Sequence, residues 1–161
     1  MRSLLFRGLA LKLASAFGIF VLTASFRPPL TALKYGGASP VQLTINGIFN
    51  GVGDNSTGTF TSSGFLNSSG STVEQVRINA QTFHAQTTFT DSHGSFTAKT
   101  NGQYVFIASR RVSGTGNWVI VNGTGDYKTL AGTGDMSFTA DFEAGTINEE
   151  WSGDMLLNKS F

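Results

Sequence analysis

The chain of 161 residues contains no cysteine, which excludes disulfides, thiolate nucleophiles, zinc-thiolate centres and a cysteine-linked lipid anchor. An exported domain without disulfides must be held by its core alone. Charge is sparse as well, at 13% of residues, and the only adjacent basic pair is Arg110-Arg111. Beyond Ala32, 7 Lys or Arg stand against 10 Asp or Glu, a balance of −3. That balance argues against nucleic acid and anionic membrane as partners, because phosphate binding depends on clustered Lys and Arg. The Gly-Thr-Gly triplets lack the following helix start and the lysine of a phosphate loop. The two histidines, His84 and His93, have no third ligand at a defined spacing, so no metal site is expected. No cofactor motif is present either. Asp91-Ser92-His93-Gly94 holds the residue types of a triad, but adjacent in sequence rather than converging in space, and it reads as a turn.

What the chain does have begins with a leader. Arg2, Arg7 and Lys12 precede an uncharged apolar run at 13–22, and small residues follow at Thr23, Ala24 and Ser25. The run is shorter than the roughly 20 residues of a spanning helix. Residues 1–32 are therefore expected to be a signal peptide, with an uncleaved signal anchor as the alternative. Pro28-Pro29 would end any helix there. The remainder, 33–161, is expected to be one domain, secreted or periplasmic.

That domain is organised around residues 118–142, WVIVNGTGDYKTLAGTGDMSFTADF. Met136, Phe138, Ala140 and Phe142 alternate with Ser137, Thr139, Asp141 and Glu143, the period of a half-buried strand. Gly-Thr-Gly recurs at 114, 123 and 132, a spacing that suits short antiparallel strands joined by tight connections. Upstream, Val41, Leu43 and Ile45 alternate, and Asn46-Gly47 reads as a bulge more readily than as a hairpin turn. A turn is expected at 53–56, a strand at 57–65 and a loop at 67–71. Residues 71–74 (Ser-Thr-Val-Glu) fit a helix-capping box, yet Val76, Ile78 and Ala80 alternate as a strand would. Phe83, Ala85, Thr87 and Phe89 mark a clear strand, and Asn101-Gly102 predicts a hairpin between 96–99 and 103–109. The last strand, 146–157, places Ile147, Glu149 and Trp151 on one face. About eight strands with frequent turns define an all-β antiparallel barrel or sandwich.

The segment Asn122-Gly123-Thr124-Gly125-Asp126-Tyr127, with Leu130-Ala131-Gly132 after it, resembles the G-G-T-G-x-F-x-x-A-x-G stretch of plant dirigent proteins. It is similar also to the matching stretch of allene oxide cyclases and of secreted bacterial barrels of that type. Asn122 stands where the first glycine falls, and Tyr127 takes the aromatic position. The resemblance covers residues 114–157. It implies an eight-stranded antiparallel β-barrel of the allene oxide cyclase/dirigent type, with a hydrophobic cavity and assembly as a homodimer or homotrimer. Gly123, Gly125, Tyr127 and Gly132 are then a structural turn motif. The catalytic residues of those families find no counterpart in this sequence, so none is assigned.

Six polar or aromatic residues in or beside predicted strands are candidates to line such a cavity: Arg77, His84, Tyr104, Arg110, Glu149 and Trp151. A few inward polar groups in an apolar cavity orient a ligand. Glu149, between Ile147 and Trp151 on one face, would be desolvated and raised in pKa, fit for acid–base work. The competing reading puts all six on the outer face or in ion pairs, since one step of register swaps faces. Two functions stay open. An exported barrel that binds a small hydrophobic molecule could act as a cyclase or isomerase by confining it. A barrel filled by its own side chains would serve a structural or interaction role. A void with buried charge separates the two.

Overall fold

The computed structural model describes residues 37–50 and 55–158. The leader assigned to 1–32 and part of the turn expected at 53–56 lie outside the described residues. Eight strands follow one another: β1 (Ser39–Phe49), β2 (Asn55–Gly64), β3 (Ser69–Asn79), β4 (Thr82–Asp91), β5 (Gly94–Ala108), β6 (Arg111–Gly123), β7 (Leu130–Asp141) and β8 (Thr146–Leu157). Each pairs antiparallel with the next, and β8 returns to β1 to close a barrel. Closure leaves no free sheet edge. The one helical element among the described residues is a 3-10 turn, Gly125–Tyr127.

Alternation decides which side chains fill the barrel. Odd positions of β1, β4 and β8 point inward (Val41, Leu43, Ile45; Phe83, Ala85, Phe89; Ile147, Trp151, Met155), as do even positions of the other strands. The hairpins after β1, β3, β5 and β7 share one end of the barrel, here the open end. The connections after β2, β4 and β6 share the other, the closed end.

The closed end is packed by rings. Phe89 stacks on Phe96 with centroids 4.6 Å apart, Phe60 meets Phe89 edge-on at 5.2 Å, and Trp118 stacks on Trp151 at 5.8 Å. The Trp118 indole N–H is shared between the carbonyls of Asp135 (3.1 Å) and Ser152 (3.2 Å), so the buried ring leaves no donor unpaired. Gly134 and Gly153 are paired across β7 and β8 beneath it. A Cβ on Gly153 would lie 2.6 Å from the ring, so the glycines make the room that the indole occupies.

Of the three Gly-Thr-Gly triplets, only 123–125 lies at a turn; 114–116 runs inside β6 and 132–134 inside β7. Gly125 has φ 59°, a conformation that costs an L-residue strain. Tyr127, from the same segment, is buried against Phe96 at 5.2 Å. Its hydroxyl donates to Asp91, which also accepts from the Ser68 hydroxyl and from the backbone N–H of His93 at 2.7 Å. One carboxylate thus ties three connections of the closed end together. Burial, and then Asp91, push the Tyr127 phenol upward in pKa.

Three local expectations are corrected. Asn101-Gly102 is no hairpin: β5 continues through it to Ala108. Gly102 pairs with Phe83 and Gly116, and a Cβ there would stand 2.7 Å from the Phe83 ring, so it is a space-making residue. Asn46-Gly47 is neither bulge nor turn, since β1 keeps unbroken register with both β2 and β8. Residues 71–74 form part of β3 rather than a helix start, which turns Thr72 and Glu74 inward.

Candidate functional site

Above the ring stack the barrel is not filled. Inward positions Ala85 and Ala140 are too small to meet across the interior, while the room beside Gly47 and Gly114 is taken by Ile147 and Phe138. They leave a cavity of about 160 Å³ at the open end. Its wall is apolar: Val76, Phe83, Phe138 and Ile147, with Phe83 and Phe138 in edge-on contact at 5.2 Å. Its mouth is formed by Phe49, Ile78, Phe106 and Phe142, of which Phe106 is 65% exposed. Glu74, Thr100 and Met136, from the middles of β3, β5 and β7, make its floor with Glu149 from the turn-proximal part of β8. Hollows on the outer wall are wider but shallow, lined by solvent-facing residues such as Gln42, Asn117 and Asp135. They lack the enclosure of a ligand site.

The floor holds two buried carboxyl groups. Glu149 is 2% exposed and Glu74 4%. Trp151 Nε1 donates to Glu149 Oε2 at 2.8 Å, and Thr87 Oγ1 donates to Glu74 Oε2 at 2.7 Å. Burial pushes Glu149 up to about 8; the neighbouring Glu74 charge adds to the rise and the Trp151 N–H opposes it. Glu74 is also raised by burial, against the hydroxyls of Thr87 and Ser56. Among the described residues no Lys, Arg or His lines the cavity. Two carboxylates in a dry pocket without a cation cannot both ionise near neutral pH, so the pair retains a proton. Thr100, 3% exposed, lines the same floor, and its Oγ1 has no hydrogen-bond partner.

The six residues selected from sequence fall into two groups. Tyr104 and Glu149 line the cavity, and Trp151 lies beneath it as the donor to Glu149. The Tyr104 hydroxyl donates to the Ala80 carbonyl at 2.6 Å, which fixes the β3–β4 turn at the mouth, where Ala80 itself has φ 53°. Arg77 and His84 are exposed on the outer face, opposite each other across β3 and β4. Arg110 is exposed in the β5–β6 turn. Those three take no part in the cavity. The outward placement of Arg77 and His84 follows from their inward neighbours, Val76 on β3 and Phe83 and Ala85 on β4. Glu74 and Thr100 were missed in sequence. At Glu74 the capping-box signal competes with the strand signal, although Thr72-Glu74-Val76-Ile78 carries the alternation that places it inside. The supposed hairpin at 101–102 hid Thr100. Of the turn motif, Gly123, Gly125 and Tyr127 sit at the closed end, and Gly132 faces Met155 inside β7.

Chemically, the floor can accept or release a proton beside an apolar molecule held against the rings. Among the described residues no three His, Cys, Asp or Glu side chains come together as metal ligands. Comparison of the chain with protein families, with curated proteins and with solved structures finds no match.

Proposed function

We propose that this protein is an exported barrel of the allene oxide cyclase/dirigent type that binds a small hydrophobic molecule at its open end and acts on it as an isomerase or cyclase. The observation that carries this reading is an apolar cavity of about 160 Å³ with Glu74 and Glu149 buried in its floor. Its volume is close to the engineered cavity of about 150 Å³ that holds benzene. The ligand is therefore compact, or extends a tail through the mouth. Confinement against Phe83 and Phe138 restricts its conformations, and a carboxylate of the pair takes a proton from one atom and returns it at another. The leader and the glycine-rich segment support the export and family parts of the proposal. Outer-wall valines Val73, Val119 and Val121, each about half exposed, offer surface for a homodimer or homotrimer.

A second reading, a structural barrel without ligand, draws on the closed end, which its own rings fill. Native mass spectrometry of the protein from its host's exported fraction distinguishes the two. A retained small molecule, lost in an Ala140→Phe variant that fills the cavity, is the expected result. A clean apo mass across preparations, with no ligand gained from lipid or polyketide extracts, favours the structural barrel.

A further inference from the structure

We infer that the cavity floor is a site for a primary ammonium group, so that the ligand is a small apolar amine whose head sits among Glu74, Glu149 and Thr100. The inference rests on the cavity being a ligand site and names the chemistry it selects.

Three observations converge. The floor holds two acids and no base, so any positive charge that lets both carboxylates ionise must arrive with the ligand or as protons. An ammonium group presents three N–H donors. Glu74, Glu149 and the Thr100 hydroxyl supply an acceptor each, and the last of these is otherwise unpartnered. The two acids are already held from behind by Thr87 and Trp151, which fixes their orientation before a ligand enters. Above the head, the rings of Phe83 and Phe138 and the open mouth at Phe106 accept an apolar body and tail. A carboxylate ligand is repelled by the acids. An alcohol meets the floor with one donor instead of three.

Binding of such a head is linked to proton release. The titratable groups that face the site are Glu149 from β8, Glu74 from β3 and, nearer the mouth, Tyr104 from β5; the described lining residues of β1, β4, β6 and β7 contribute none. An alkylamine stays charged to about pH 10, as lysine does. Its affinity therefore rises with pH from 6 to 8.5 as the acids give up protons.

The test is calorimetric titration of the full chain with hexylamine, hexanol, hexanoate and hexyltrimethylammonium at pH 6, 7.5 and 8.5. Hexylamine is expected to bind at least tenfold tighter than hexanol at pH 7.5, to release protons, and to tighten at pH 8.5. Hexyltrimethylammonium, which has the charge but no N–H, is expected to lose most of that advantage, and hexanoate to bind weakest. Glu149→Gln and Thr100→Val, each checked for native circular dichroism, should lower hexylamine affinity at least fivefold and leave hexanol binding unchanged. Hexanol binding as tightly as hexylamine overturns the amine site while leaving the apolar cavity standing. Binding of neither overturns both.

Discussion

The two ends of this barrel are built from the same strands yet differ in what fills them. At the closed end, Phe60, Phe89, Phe96, Trp118 and Trp151 meet ring to ring, and opposed glycines give the Trp118 indole its place. At the open end small inward residues leave about 160 Å³ empty, and two acids are buried without a basic partner. Burying unpaired acids works against stability. One end therefore stabilises the fold, and the other holds features that stability alone does not explain. Such a division is common where a scaffold supports a site.

The comparison is broken most severely from the closed end. Trp118→Ala should cost about 3–5 kcal/mol, because the ring leaves a void among aromatic neighbours. Urea unfolding measures it, and a loss under 1 kcal/mol would show that the stack is not the stabilising half.

At the open end the expected sign is reversed. Glu149 has a folded pKa raised to about 8 from an ordinary 4.5, so between those values the native state binds more protons than the unfolded one. Stability therefore falls as pH rises through that window and levels off above it. Glu149→Gln should gain on the order of a few kcal/mol relative to the parent at pH 8.5 and little at pH 5. Melting temperatures from pH 5 to 9 should show a shallower decline in the variant, with the remaining slope due to Glu74. Parallel declines in the two proteins would contradict the assignment.

A smaller effect is expected at the glycine-rich turn. Gly125→Val places a branched side chain at φ 59° against the His93 carbonyl. The cost is about 1–3 kcal/mol, read from chemical denaturation; unchanged unfolding would remove the turn from the stabilising half. Phe106→Ser should be the mildest. Its ring is 65% exposed at the mouth, so stability should change by less than about 0.5 kcal/mol. Binding of an apolar fluorescent probe should weaken nonetheless, and unaltered probe binding would exclude Phe106 from the entrance.

How much of this was legible in the sequence depended on the range of the signal. Alternation in 41–45, 83–89, 136–140 and 147–151 marks one face of each strand, and its burial, that of Glu149 included, makes that face the inner one. That pattern and the turns between strands point to about eight antiparallel strands in a barrel or a sandwich alike, and it is the β1–β8 pairing that closes the barrel. Dipeptide signals misled where tertiary packing overrode them. Asn101-Gly102 has the local chemistry of a hairpin, but nothing local records that the Phe83 ring needs the space above Gly102. Arg77 and His84 have the chemistry of site residues, although the parity of their neighbours sends them outward. The pairing of Glu74 with Glu149 was not legible at all, because it depends on a closed ring bringing β3 and β8 to face each other.

That dependence has a kinetic side. Seven of the eight strand pairings join consecutive strands, while the β1–β8 seam joins segments far apart, as in the Thr44 to Glu150 hydrogen bond across 106 positions. Hairpins close small loops, but the seam must close nearly the whole chain, which carries the largest entropic cost and favours its forming last. Pulse-labelling hydrogen exchange should accordingly show β1 and β8 protected after β4 to β6, and early protection of the seam would refute that order. The acid pair is complete only when the seam is shut, so with that order the chain acquires its candidate site in the final step of folding.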